Sequence, residues 1–253
     1  VRFIGIDLAW SLRKTPLPDT GGVVLSDSGR VITHEHLTSD DSIVAFILEN
    51  TDATGCIVGI DAPLVVPNAT GRRVCEAALQ AVGISSYPAN RTLFDRNCGG
   101  VRGENLVAQL SEYGFVLRAE IGKGETQKSL VEVYPRALIR RIWGRIPPYK
   151  SGAHSNANID IASGMQELQR LILEQSDPPL YWERPPISAN TVATLRPRQL
   201  KRSGDLLDAA LSAYLGYLAW FGGPDRVETV GTITDGFIML PCSPIAEKSR
   251  GSV

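Results

Sequence analysis

The chain has 253 residues, 43% hydrophobic and 21% charged, with a net charge of −1. That composition describes a folded globular protein, excludes a disordered or fibrous chain, and is far less basic than a protein that coats nucleic acid by charge alone. No apolar run approaches the roughly 20 residues of a membrane span and no secretory leader is visible. The four cysteines (Cys56, Cys75, Cys98, Cys242) form no C-x-x-C pair, so reduced thiols in a cytoplasmic protein without structural zinc are expected.

In chain order, residues 2–8 predict a buried first strand, short, apolar and β-branched. Asp19 to Gly22 signals a turn, Val23-Val24-Leu25 a second strand, Asp27-Ser28-Gly29 a tight turn, and Val31 to His36 an alternating third strand. Thr38-Ser39-Asp40-Asp41 reads as a capped helix start, with Ile43, Val44, Ile47 and Leu48 as its apolar stripe. Residues 56–60 predict a fourth strand. An irregular segment of about 65–128 follows, with helices near 71–82 and 103–118. Ser129 to Val133 predicts a fifth strand, and Pro135 opens the next helix. A helix near 159–174 precedes Pro-rich connectors over 177–198. Ser203 is expected to cap a helix running to about 221, stopped by Gly222-Gly223-Pro224, and one or two strands occupy 227–240.

A meander of three strands followed by crossovers, which are parallel and right-handed, predicts a mixed five-stranded sheet in the order 3-2-1-4-5 flanked by helices. This order resembles the ribonuclease H-like α/β fold. The expectation is a single domain over 1–253, with a large, mostly helical insertion at about 65–128 after strand four and a C-terminal extension at about 224–253.

Two of these strands rhyme. Phe3-Ile4-Gly5-Ile6-Asp7 and Ile57-Val58-Gly59-Ile60-Asp61 each end an apolar run on a carboxylate two residues after a glycine. Strands one and four are neighbours in the expected order, so Asp7 and Asp61 meet at one sheet edge. Each glycine shares a face with its acid and leaves room for something close to the sheet. Like charges so near are stable only if they share a proton or bind cations. The late helix, apolar almost all round, carries Asp205 and Asp208 three residues apart. Asp208 is expected to point inward, either to a metal or to a hydrogen bond with a neighbouring loop, while Asp205 has the alternative of favouring the helix dipole. Such carboxylates are hard oxygen ligands suited to Mg²⁺ or Mn²⁺, and two such ions clamp an in-line phosphoryl displacement.

Here the sequence resembles a family, the predicted ribonuclease H-like nucleases grouped as domain of unknown function family 429. The resemblance rests on "GIDLAW", "GIDAPL", "RRVCEAALQAVG", "VEVYP", "DLLDAALSAY" and "DGFIMLP". The late helix is also similar to that of Holliday-junction resolvases, which implies that Asp205 and Asp208 complete the metal site, with Asp7 and Asp61 as the strand-one and strand-four acids.

Glu132 lies mid-strand, where a carboxylate ligates a metal, positions water, or pairs with an arginine such as Arg72 or Arg73. Arg136, Arg140, Arg141, Arg145 and Lys150 form a basic stretch without acids, and Arg136 and Arg140 share a helix face. Arg73, Arg136, Arg140 and Lys150 are the candidate phosphate contacts. His154 is either a proton carrier or an exposed loop residue. Trp10 either stacks a base or packs the insertion on the sheet. Trp220-Phe221 faces either the core or a second copy in a homodimer.

The leading expectation is a metal-dependent nuclease acting on DNA or RNA, with Asp7, Asp61, Asp208, Asp205 and Glu132 in its catalytic set and the four aspartates as metal ligands. One alternative is a phosphotransferase of the actin-like and sugar-kinase type. Against it, Asp7 is followed by Leu8-Ala9-Trp10 rather than a glycine-rich phosphate turn. The other is a non-catalytic binding module stabilised by an ion.

Overall fold

The computed structural model describes residues 1–14, 17, 19–150, 158–188 and 194–242. Strands β1 (Arg2–Asp7), β2 (Thr20–Leu25) and β3 (Val31–Leu37) form an antiparallel meander. Strands β4 (Cys56–Ile60), β5 (Val116–Leu117) and β6 (Lys128–Glu132) join it in parallel, giving the order β3-β2-β1-β4-β6-β5. The sheet therefore has six strands instead of the expected five. The extra strand lies where a single helix over 103–118 is predicted. Gly114, at φ 82°, turns the chain out of that helix, and Val116–Leu117 adds to the edge of β6.

The helices are α1 (Asp40–Glu49), α2 (Val74–Ala81), α3 (Arg91–Asn97), α4 (Arg102–Ser111), α5 (Pro135–Trp143), α6 (Asn158–Leu173) and α7 (Pro197–Gly222). Ser39 caps α1 through a full capping box, and Pro135 opens α5. The short α3 is unanticipated. Its Asn90 cap, whose side chain accepts from the Leu93 amide at 2.9 Å, is the signal that marks it. Strands β7 (Val227–Thr232) and β8 (Gly236–Pro241) form a separate antiparallel pair.

The largest difference from expectation is where α7 begins. Pro197 occupies its first turn and Arg196 its cap, seven residues before Ser203. Ser203 is buried within the helix, and Asp205 falls in the third turn, beyond reach of the terminal dipole. The helix is buried from Ser203 through Ala219, as a segment apolar on all sides must be.

Side-chain alternation gives the sheet two distinct faces. Ile4, Ile6, Val58, Ile60 and Leu130 pack with Phe46 of α1 and Leu106 of α4. Phe3, Ile57, Val131 and Val133 pack with Leu207, Leu211 and Leu215 of α7. Among the described residues no helix is long and apolar enough to cross a membrane, and all four cysteines are free.

Candidate metal centre

The parallel register pairs Gly5 with Gly59 and Ile6 with Ile60, and the Asp61 amide extends the ladder by donating to the Ile6 carbonyl at 2.8 Å. Asp7 and Asp61 thus end adjacent strands on the face that α7 covers. The rhyming glycines explain how α7 reaches them. A β-carbon on Gly5 would lie 1.8 Å from the Ala209 carbonyl oxygen, and one on Gly59 would lie 2.3 Å from that of Ser212. Gly21 of β2 makes the same allowance, 2.4 Å from the Asp205 carbonyl oxygen. Three strands therefore present bare backbone, and the helix rests directly on them. This seat carries Asp208 to the strand ends, where ligand oxygens of Asp7, Asp61 and Asp208 lie within 4.8 Å of one another.

Lys150 joins the three acids. Its ammonium pairs with Asp208 Oδ2 and lies 3.6 Å from Asp7 Oδ2. The preceding residue is the anchor: Tyr149 is buried and its hydroxyl donates to Asp208 Oδ1 at 2.9 Å. Pro147 and Pro148 stiffen the approach, and α6 packs closely over them, since a β-carbon on Gly164 would meet the Pro148 backbone at 2.5 Å.

Electrostatics follow from this crowding. Burial pushes the Asp61 carboxyl well above its ordinary range, and the neighbouring Asp7 and Asp208 add to the effect. Burial raises Asp208 to about 6, with Lys150 working against the rise and Asp7 for it. Asp7 is raised by burial and partly relieved by Lys150. Lys150 is held well above its usual value by Asp208 and Asp7, which outweigh its own desolvation. Three carboxylates and one ammonium leave an anionic pocket that a hard divalent cation suits, and all three acids offer oxygen donors.

The remaining candidate residues divide. Asp205 is buried beside the cluster, but its Oδ2 accepts from Lys201 Nζ at 2.6 Å one helical turn away, and it is not one of the three converging acids. Glu132 stands opposite Ile60 in the ladder and so faces away from α7 and the other acids. It accepts two hydrogen bonds from Arg73, at 2.6 and 2.9 Å, and one from the Leu64 amide at 2.8 Å. Arg73 itself is only 3% exposed and also pairs with Glu76 at 2.9 Å, which in turn accepts from the Ala89 amide at 3.0 Å. Burial works against the Arg73 charge, and Glu132 more than restores it. Of the readings open for Glu132, the structure shows the pairing with Arg73, and the same ion pair occupies the Arg73 guanidinium. Arg136 is exposed on α5 near Tyr134, and Arg140 is exposed and caps the helix by donating to the Gly144 carbonyl. Trp10 packs on Phe94 of α3, with ring centroids 5.4 Å apart. His154 lies outside the described residues.

Tyr149 and Arg102 escaped sequence reading. Arg102, 1% exposed, donates to Asp40 at 2.7 Å and to the Ala9 carbonyl at 2.6 Å, fixing the backbone just after Asp7. The signal for Tyr149 was its place between Pro147-Pro148 and Lys150, a stiff approach ending in a cation. Nothing local marks Arg102, whose partners are distant in sequence.

No curated protein matches this chain. Residues 5–230 match the family model described as Protein of unknown function (DUF429), and the chain belongs to that family.

Proposed function

We propose that this protein is a metal-dependent nuclease that hydrolyses phosphodiester bonds in DNA or RNA, built on a ribonuclease H-like sheet. The observation that carries the reading is the convergence of Asp7, Asp61 and Asp208, from two strand ends and one helix, within 4.8 Å. These residues would hold Mg²⁺ or Mn²⁺, which supplies a Lewis acid for a phosphoryl oxygen and lowers the pKa of an attacking water. The chain's own residues do the positioning. Tyr149 fixes the Asp208 carboxylate through Oδ1. The glycine seat under α7 sets the height of Asp208 above the strand ends. Lys150 and the exposed Arg136 meet substrate phosphates, whereas Arg73 does not.

The test is turnover of a panel of single-stranded, duplex and branched DNA and RNA with added Mn²⁺, using Asp7→Asn as control. Cleavage by the parent protein that disappears in Asp7→Asn supports the proposal. Absence of cleavage across the panel, together with a lower melting temperature for Asp7→Asn in Mn²⁺, would favour an ion-stabilised binding module.

A further inference from the structure

We propose that Lys150 supplies the second positive charge of this centre, so that it takes one divalent cation per chain instead of a pair, and that the ammonium contacts a phosphoryl oxygen of the substrate. The inference rests on reading Asp7, Asp61 and Asp208 as metal ligands.

Three observations point this way. The first is position: Lys150 Nζ already bridges Asp208 Oδ2 and Asp7 Oδ2, with the latter at 3.6 Å. Paired ions lie about 4 Å apart and share carboxylates, so the ammonium stands where a second ion would need those same oxygens. The second is the supply of ligands. A second ion calls for further acids, and among the described residues the two other acids near the cluster are paired elsewhere, Asp205 with Lys201 and Glu132 with Arg73. The third is charge. Three carboxylates and Lys150 sum to −2, which a single divalent ion neutralises, while two ions would leave the pocket strongly cationic.

Lys150 is not an incidental surface cation. Buried Tyr149 anchors it from one side, and Pro148 is clamped under Gly164. A cavity of about 300 Å³, lined by Tyr149, Lys150, Leu200, Lys201, Gly204 and Asp205, lies beside this residue and leaves room for an anionic group.

The experiment titrates Mn²⁺ into the full chain and follows free Mn²⁺ by electron paramagnetic resonance. One ion per wild-type chain is expected. Lys150→Met should bind that ion at least about ten-fold more tightly, because a like charge has been removed, while Lys150→Arg keeps the wild-type count. Inorganic phosphate, followed by ³¹P line broadening in the Mn²⁺-loaded protein, should bind at least about ten-fold more weakly to Lys150→Met. Two ions per wild-type chain would overturn the inference while leaving the metal centre intact, and so would unchanged Mn²⁺ affinity in Lys150→Met. Unchanged phosphate affinity would overturn the substrate contact. No ion bound to a folded wild-type chain would overturn the metal centre itself, and this inference with it.

Discussion

Replacing Gly5 by alanine tests how Asp208 reaches the strand ends. The new β-carbon would lie 1.8 Å from the Ala209 carbonyl oxygen and 2.4 Å from the Ala213 amide nitrogen. Non-bonded heavy atoms rest at about 3.5 Å, so α7 must retreat by roughly 1.5 Å or β1 must buckle. Both atoms belong to helix backbone, so no rotamer change relieves the clash. Gly5 is not among the glycines with positive φ, and alanine adopts its strand conformation freely, so any loss is steric. Overpacking usually costs about 1–3 kcal/mol. With a 26-residue helix displaced, the expected loss is at the upper end of that range or beyond, measured by urea denaturation. Asp208 immediately precedes Ala209 and moves with it, so Mn²⁺ affinity should fall by at least about ten-fold. A Gly5→Ala protein within about 1 kcal/mol of its parent, with unchanged Mn²⁺ affinity, would refute the close seating of the helix.

Glu132→Gln should destabilise the protein by about 1.5–3 kcal/mol in urea denaturation, because it removes the bidentate charged partner of buried Arg73 and leaves Glu76 as its remaining carboxylate. A cost below about 1 kcal/mol would show that the pair is not needed. Tyr149→Phe removes a hydrogen bond to Asp208 and should cost about 1–3 kcal/mol by the same assay. The pH dependence has a definite sign. Asp208 sits at about 6 in the folded chain against an ordinary 3.8, so the fold holds its proton more tightly than the unfolded chain does. Its contribution to metal-free stability is complete below about pH 4 and is lost as pH rises through about 6, on the order of 3 kcal/mol for a shift of two units. Saturating Mn²⁺ binds the ionised acids and should reverse that trend near pH 7, which thermal melts with and without the ion would record. Melts that rise from about pH 4 to about pH 7 without metal would count against the crowding of these acids.

Much of this arrangement was legible because it depends on short, regular periods. Apolar runs ending in Asp7 and Asp61 mark two strand ends, and a meander followed by crossovers makes those strands neighbours. The glycines beside the acids foretold a close approach, though not that the helix itself would fill the space. Glu132 is the residue whose several readings the sequence leaves open. Its strand was read correctly, but its face depends on register against β4, and a one-residue shift in register moves a side chain to the other side of a sheet. The early start of α7 is obscured because Ser203 makes a plausible cap, whereas the helix opens on Pro197, which fits a first helical position. Lys150 looked like part of a basic stretch. That it meets Asp7 depends on contacts more than a hundred residues apart, which no local pattern encodes.

The charged trio Arg73, Glu76 and Glu132 has a bearing on how the protein tolerates shortening. Arg73 and Glu76 belong to the long segment between β4 and β6, while Glu132 belongs to the sheet. Trimming that segment as a dispensable loop would strand an acid inside the sheet with no counterpart. Engineered minimal versions of this protein should therefore keep residues 65–89, or replace Glu132 with an apolar residue in the same step.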